Sequence, residues 1–259
     1  MTVPLTLMAC LVVPLAGPLR AAPLPALPQP ETGPSKEASA PVVSVSSPAV
    51  SISTGPWTAQ EVVEAVRRLD EKLHGVQASF RQTLKTQAGL TQDQTGRLFY
   101  LKPDRIRMEF DSPRKQVTVS DRKLLWVHQI EEKQVIRADW EEWKKGQSQL
   151  TGLLEFGRYA SILDRHAATL APYAAEGSTS PSTAWKLTLK PKASASYTLS
   201  LVVAPPDWFP TRAELALGGL EVVNELDEVR FNPELDPALF EFKPPPGLPV
   251  IDLSGPPAP

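Results

Sequence analysis

Apolar and charged side chains alternate strictly in the segment Arg105–Phe110, with Ile106, Met108 and Phe110 on one side. A period of two indicates a β-strand with one buried face. Turn signals separate this segment from other short apolar segments, so we expect sequential antiparallel pairing in one sheet. The other predicted strands are Val76–Leu84, Arg97–Leu101, Gln116–Val119, Leu124–Ile130, Gln134–Ala138, Trp185–Leu189, Tyr197–Val203, Thr211–Leu217, Glu221–Phe231 and Phe240–Lys243.

Two helical regions accompany these strands. Thr58 and Glu61 have the spacing of a capping box, apolar residues then follow at helical spacing to Leu73, and Gly75 ends the helix. A second helical pattern covers Leu150–Leu163. Because a long sheet usually curls, the pattern predicts a mainly β (α+β) domain with amphipathic helices across its concave mouth.

The two ends of the chain differ in composition from the strand-rich middle. Residues 1–22 hold a short apolar run, Leu5–Ala16, and a cleavage-like sequence at Leu19–Ala21, which together indicate a secretory signal peptide. Residues 23–56 are rich in Pro, Ala and Ser and are predicted to be a disordered linker. We therefore expect an exported protein with a cleaved leader, one folded domain over residues 57–253 and a disordered tail, 254–259.

Cys10 is the one cysteine of the sequence, and the preceding Leu7–Ala9 gives it a context similar to a lipobox. Lipid attached at Cys10 would anchor the protein to a membrane. The alternative is a cysteine inside a discarded leader, which we favour because the short, uncharged stretch before it is a weak lipoprotein signal. In that case the mature chain has no cysteine for a disulfide or a thiolate ligand.

Charge and residue chemistry narrow the function further. The formal net charge is −2 and the basic residues are spread along the chain, which argues against a nucleic-acid-binding face. The histidines His74, His128 and His166 lack metal-ligand spacing, and no nucleophile elbow accompanies Ser120-Asp121. We expect a protein that is not an enzyme and binds no cofactor.

Four motifs in register resemble those of the LolA family of periplasmic outer-membrane lipoprotein carriers. Phe80–Gln82 resembles the Phe-x-Gln of its first strand, and Gly96–Phe110 resembles its Gly-x-hydrophobic, basic-Pro, Arg-x-Arg strand pair. Val119–Trp126 is similar to its Val-Ser-Asp-Gly-Lys-x-Leu-Trp turn, and Phe240–Val250 to its closing Phe-x-Phe-x-Pro-Pro-x-Gly-x-x-Val. The likeness extends over roughly Thr58–Ile251.

The resemblance implies an unclosed, curled antiparallel β-barrel of about eleven strands, with helices acting as a lid over its concave mouth. It implies a hydrophobic cavity that binds the acyl chains of lipoproteins and carries them from the inner to the outer membrane. The implied partners are acylated lipoproteins, an inner-membrane ATP-binding-cassette releasing complex (LolCDE-like) and an outer-membrane acceptor (LolB-like). We expect a periplasmic monomer.

Periodicity alone favours a filled core for the apolar strand positions. The resemblance reverses this preference, because the positions matching Ile106 and Met108 face the family's cavity. Lys102 stands where the family commonly has an arginine that ties the lid shut, and Arg122 replaces a turn glycine. The candidate residues are Phe99, Ile106, Met108, Phe110, Val117, Val119 and Trp126 for the acyl-chain cavity, and Lys102, Leu153 and Leu154 for lid contacts.

Two other functions fit the same sequence. A membrane-anchored lipoprotein acceptor or an envelope-stress sensor on this fold would carry lipid at Cys10. A plain β-rich scaffold with a filled core would neither bind acyl chains nor take up an apolar probe. The first interpretation, a carrier whose apolar interior stays vacant until cargo arrives, is the one that the resemblance favours.

Overall fold

A computed structural model of the protein describes residues 56–146, 158–174, 183–193 and 197–254. In these residues the strands form one sheet, in the order β12-β6-β5-β4-β3-β2-β1-β11-β10-β9-β8-β7. The elements are α1 (Ala59–Lys72), β1 (Gly75–Thr86), β2 (Thr91–Leu101), β3 (Arg105–Ser112), β4 (Gln116–Ser120), β5 (Leu124–Gln129), β6 (Gln134–Asp139), α2 (Trp140–Gly146), α3 (Tyr159–Arg165), β7 (His166–Tyr173), β8 (Ala184–Pro191), β9 (Tyr197–Val203), β10 (Arg212–Leu217), β11 (Leu220–Phe231) and β12 (Val250–Asp252).

Two antiparallel meanders make up this sheet. Strands β1–β6 form one meander and β7–β11 the other, and the pairing of β1 with β11 joins them. The short β12 adds to β6 in parallel. The predicted fold class is therefore confirmed: the domain is mainly β, with an unclosed, curled antiparallel sheet and few helices.

Helix α1 begins where the sequence predicts. The Thr58 N–H donates to Glu61 Oε2 at 2.7 Å, and the Glu61 N–H donates to Thr58 Oγ1 at 3.2 Å, so both halves of the capping box are formed. At the other end the Leu73 N–H donates to Leu69 O at 3.0 Å. The next strand, β1, starts at Gly75, close to the predicted helix end.

Several boundaries differ from the predicted ones. Strand β2 begins at Thr91, six residues before the predicted start, because the hairpin turns tightly through Gly89 at a φ of +80°. Helix α2 and strands β7 and β12 were not predicted. The predicted strand Phe240–Lys243 is wrong: Phe240 ends a short 3-10 helix, Pro237–Phe240, which Asp236 caps, and the Phe242 ring after it packs on Trp126 of β5.

The second helical region is described only in part. Helix α3 occupies Tyr159–Arg165 and overlaps the end of the predicted Leu150–Leu163. The first part of that prediction lies outside the described residues, as do the predicted signal peptide, Cys10 and most of the linker. Tyr159, Ile162 and Leu163 of α3 are buried, so this helix is amphipathic and packs on the domain.

Candidate functional site

The candidate site is the side of the sheet that carries Ile106, Met108 and Phe110, here called the inner face. The register places side chains of β2 on this same side, since Met108 lies opposite Leu98 and Ile106 lies opposite Tyr100. The side chains of Ile106, Met108 and Phe110 are 6%, 3% and 5% exposed. The structure therefore brings three predicted cavity residues together on one apolar surface, and that surface is covered.

Gly96 lets two aromatic rings meet on the inner face. Phe80 of β1 and Phe110 of β3 both lie opposite Gly96 of β2, and their rings contact edge to face with centroids 5.1 Å apart. A Cβ on Gly96 would lie 2.9 Å from the Phe80 ring and 2.0 Å from the Glu109 carbonyl oxygen. A side chain is therefore excluded at this position, which explains the glycine in physical terms.

Helices α1 and α3 meet at the end of the inner face that carries Tyr100. The Asp70 carboxylate of α1 accepts a hydrogen bond from the Ala160 N–H of α3 at 3.3 Å. Burial raises the pKa of Tyr159, with smaller contributions from Asp70 and Tyr100. Burial and the carboxylates of Asp104 and Asp70 likewise raise the pKa of Tyr100. Both phenols therefore stay neutral at physiological pH where α1 and α3 meet.

Lys102 links the turn between β2 and β3 to helix α1. Its Nζ donates to the main-chain oxygen of Asp70 at 2.9 Å, and its N–H donates to His74 O at 2.8 Å. Asp70 lies in the last turn of α1, where the helix dipole favours a cation. This predicted lid contact thus reaches a helix carbonyl in the described part of the chain.

Asp104 of the same turn joins two further elements. Its carboxylate pairs with Arg158, directly before α3, and its Oδ2 lies 3.6 Å from Lys144 Nζ of α2. Asp104 adopts a φ of +59°, a conformation that asparagine and aspartate tolerate better than most residues. One turn therefore contacts α1 through Lys102, and α2 and the start of α3 through Asp104.

The remaining predicted site residues lie elsewhere. Phe99 and Val119 both lie opposite Arg107, and Trp126 lies opposite Val119, so register places them on the side of Arg107 rather than that of Met108. We call this side the outer face, and the expectation that it contributes to the cavity is revised accordingly. The four cavity candidates on the outer face are Phe99, Val117, Val119 and Trp126, while Leu153 and Leu154 lie outside the described residues.

The chain after β11 covers the outer face. Arg107 Nη1 donates to Leu239 O at 3.1 Å, and the Trp126 and Phe242 rings pack with centroids 5.7 Å apart. Val119 is fully buried. Apolar residues on this face are therefore part of a core that the chain closes with its own C-terminal segment.

Three buried carboxamides also lie side by side on the inner face. Gln82 of β1 lies opposite both Gln94 of β2 and Asn224 of β11, and Gln82 Nε2 donates to Asn224 Oδ1 at 2.8 Å. The strand pattern did not single them out, because a polar residue in an alternating segment is usually assigned to solvent. The sequence did indicate one of them: Gln82 follows Phe80 by two residues, so the period of a strand places both on the same face.

Other chemistry in the described residues is sparse. They contain no group of three or more His, Cys, Asp or Glu side chains placed to hold a metal ion. No helix in the described part of the chain has the length and hydropathy to cross a membrane. A surface depression of about 610 Å³ lies at the tips of the β1–β2 and β10–β11 hairpins, and its lining includes Lys85, Gln87, Thr91, Leu217, Gly219 and Glu221.

Comparisons with known proteins match these features to one family. The family model described as outer membrane lipoprotein carrier protein LolA matches residues 71–204. An outer-membrane lipoprotein carrier protein from Neisseria meningitidis serogroup C is 26% identical over 199 residues, covering 73% of this chain and 86% of the relative. One from Coxiella burnetii is 27% identical over 185 residues, covering 68% and 79%. An uncharacterized conserved protein from Thermus thermophilus has a crystal structure similar over 75% of this chain and 98% of its own, with 16% identity and a TM-score of 0.47.

Proposed function

The chain belongs to the LolA family of outer-membrane lipoprotein carriers, and from this premise we propose that it is a non-enzymatic carrier that binds the acyl chains of lipoproteins. The observation that supports the proposal is the apolar inner face built by Leu98, Ile106, Met108 and Phe110. Helices α1 and α3 meet at the Tyr100 end of this side and are joined to the β2–β3 turn by side-chain contacts, whereas the opposite side is closed by the chain's C-terminal segment. A cover made of helices can move aside for a ligand.

Acyl burial sets the energetic problem for such a carrier. Burying a chain of about sixteen carbons is worth roughly 12 kcal/mol, at about 0.8 kcal/mol per methylene. The membrane offers a similar gain, so spontaneous extraction would be slow. We propose that an ATP-driven releasing complex in the inner membrane (LolCDE-like) loads the carrier, and that an outer-membrane acceptor (LolB-like) receives the cargo where one exists.

Forward transfer requires that the carrier hold its cargo less tightly than the acceptor does. In the structure Ile106 and Met108 are buried, and we propose that an acyl chain reaches them when α1 and α3 move away from the inner face. Reforming the contacts of Lys102 and Asp104 on release favours the empty state. The free energy of lid closure then subtracts from the affinity for cargo.

We propose the periplasm as the location, with residues 1–22 removed as a leader and residues 23–56 forming a linker before the carrier domain. Mass spectrometry of the mature protein tests this. A free N-terminus beyond Ala16 supports a soluble carrier. Lipid on Cys10 would instead favour a membrane-anchored acceptor.

Lipopeptide binding tests the carrier function itself. We expect the full chain to bind a synthetic peptide bearing two hexadecanoyl chains and to ignore the same peptide without them. Met108→Glu should abolish this binding, because it places a charge on the inner face. Val117→Glu, which alters the outer face, is the matched control and should keep it, with circular dichroism confirming the fold of both.

Three results would overturn the proposal. One is equal binding of the acylated and unacylated peptides by the unmodified protein. Another is co-purification of folded Met108→Glu with periplasmic lipoproteins at the level of the unmodified protein. The third is failure to take up an apolar fluorescent probe, which would indicate a scaffold with a permanently filled core.

A further inference from the structure

We propose that Gln82, Gln94 and Asn224, named here the amide row, form a polar subsite that binds the carbonyl group joining an acyl chain to its polar head. The inference rests on the proposed carrier function and deepens it. An apolar cavity alone explains why Ile106 and Met108 are suited to the interior. It gives no reason for three carboxamides on the same face.

Burial makes the amide row costly unless a partner completes it. Gln82 and Gln94 are each 3% exposed and Asn224 is 9% exposed. Within the described residues, Gln82 Oε1, Gln94 Oε1 and Asn224 Nδ2 have no hydrogen-bond partner. A buried polar group left unpaired costs about 1 to 3 kcal/mol, so three in adjacent positions call for a ligand or a role.

The surplus does not depend on how the amides are oriented. Gln82 Nε2 donates to Asn224 Oδ1, and the Asn224 NH2 group and the Gln82 carbonyl oxygen remain without a partner among the described residues. Turning both amides over reverses that bond and still leaves one NH2 group and one carbonyl oxygen without a partner. The row therefore always offers both a donor and an acceptor.

The position of the row suits an acyl head group. Gln82 follows Phe80 by two residues on the same strand face, so it lies next to the Phe80–Phe110 ring pair and the apolar surface beyond it. In the other direction Thr86, which lines the surface depression, is four residues away, about 13 Å along the strand. A chain packed against the rings thus has its carbonyl at the row.

A second pair of buried polar residues on the inner face behaves differently. Gln116 Nε2 donates to Thr118 Oγ1 at 3.2 Å, and this pair leaves no buried atom unpaired among the described residues. Gln116 lies opposite Phe110, so it shares the face but belongs to β4. It is the matched control for a polar residue whose role is structural.

The chemistry of the row predicts which linkages it recognises. Asn224 Nδ2 can donate to the carbonyl oxygen of an ester or an amide, and Gln82 Oε1 can accept from an amide N–H. An ester-linked chain would use the donor alone, and an amide-linked chain would use both. An alkyl ether lacks the carbonyl and would leave the donor unpaired.

Three probes with the same chain length test the proposal on the full-length protein: methyl hexadecanoate, N-methylhexadecanamide and methyl hexadecyl ether. Each affinity is divided by the probe's partition from water into hexadecane, which removes differences in hydrophobicity. We expect both carbonyl probes to exceed the ether by about tenfold. The amide should exceed the ester if Gln82 accepts its N–H, and equal affinities would restrict the row to the donor contact.

Substitutions then locate the preference. Loss of Asn224 alone would free the Gln82 NH2 group as a substitute donor, so the test uses the double variant Gln82→Leu, Asn224→Leu, which should remove the preference for the ester over the ether, while Gln116→Met should leave it intact. The inference is overturned if the unmodified protein binds the ester no better than the ether, or if the folded double variant retains the preference. Those results leave the carrier function standing, because the ether still binds; binding of none of the probes would defeat the carrier function and this inference together.

A measurement on the unmodified protein avoids reliance on the variant's folding. Methyl hexadecanoate labelled with 13C at its carbonyl reports hydrogen bonding through its infrared stretch. We expect a shift to lower frequency on binding, relative to the same probe in hexadecane. A bound stretch at the hexadecane frequency would show that no donor reaches the carbonyl and would overturn the inference.

Discussion

Strands β3, β4 and β5 are covered on both faces, but the covers differ in kind. The outer face lies under the chain that follows β11, which adds its own strand, β12, to the edge of the same sheet. At its Tyr100 end the inner face meets helices α1 and α3, whose residues Asp70 and Arg158 (directly before α3) contact Lys102 and Asp104 of the β2–β3 turn. The outer cover continues into a strand of the sheet's own ladder, whereas helices α1 and α3 join the β2–β3 turn through side-chain hydrogen bonds and ion pairs.

The comparison shows that burial by itself does not identify a binding face. Val119 on the outer face is fully buried and Met108 on the inner face is 3% exposed, so accessibility hardly separates them. Under the proposed function, the two faces should differ in the cost of uncovering each one. Predictions about the two covers therefore concern two different measurements, global stability and the rate at which an apolar probe enters.

The largest effect is expected from the outer cover. Phe240 is 1% exposed, and Phe240→Ala should lower the free energy of unfolding by about 3 to 5 kcal/mol, because it deletes a fully buried ring. Urea denaturation measures the loss. Phe242→Ala, at a half-buried position, should cost less. An increase in the rate of probe uptake by folded Phe240→Ala would contradict the assignment of this cover as structural.

A smaller loss of stability but a larger gain in access is expected at the inner cover. Lys102→Met removes the hydrogen bond to Asp70 O and should lower the free energy of unfolding by about 1 to 2 kcal/mol. Stopped-flow fluorescence should show faster entry of an apolar probe. Lys102→Arg retains a donor and should restore slow entry. Equal entry rates for the Met and Arg variants would show that the hydrogen bond from residue 102 to Asp70 O does not limit access to the inner face.

A substitution in the turn between β4 and β5 changes stability without altering either cover, so it is the control for the two predictions above. Arg122 is exposed and adopts a φ of +83°, which strains a residue with a Cβ, while Asp121 Oδ1 accepts two main-chain hydrogen bonds that hold the turn. Arg122→Gly should raise the free energy of unfolding by about 0.5 to 1 kcal/mol. Thermal unfolding checks the gain, and probe entry should be unchanged; a slower entry would mean that global stability controls access.

The smallest effect is expected from acid at the edge of the outer cover. A hydrogen bond from the Arg137 side chain holds the pKa of Asp252 well below its ordinary value. Because the folded-state pKa is lowered, the stabilising contribution is present above the ordinary value of about 3.9 and declines as the pH falls below it. The protection of the Leu253 amide, which donates to Arg137 O, against hydrogen exchange should fall there relative to the intrinsic rate at each pH. Asp252→Asn should lack this pH step.

Alternation along single strands predicted most of the sheet, because each strand obeys the period of two on its own. It did not predict which strands share a face. On β4 the side chains of Gln116, Thr118 and Ser120 point inward and Val117 and Val119 point outward, the reverse of a simple hydrophobic-inside rule. The reason is the C-terminal cover, a long-range contact that makes the outer face apolar as well.

The amide row was missed for a related reason. Gln82, Gln94 and Asn224 come from three strands, and only the register of β2, β1 and β11 makes them neighbours. Strand β7 was missed because its small and polar residues, with Pro172 among them, carry a weak strand signal. The motifs that resemble a known family located the inner face at Ile106 and Met108 because they encode the strand pair itself.

The free edges of the sheet have a mechanical consequence. In a closed barrel the ring of backbone hydrogen bonds fixes the circumference. Strands β7 and β12 stand at opposite ends of the strand order, and no ladder in the described residues joins them. The open sheet can therefore widen by bending without breaking a backbone hydrogen bond, which under the proposed function would let it accept cargoes of different bulk.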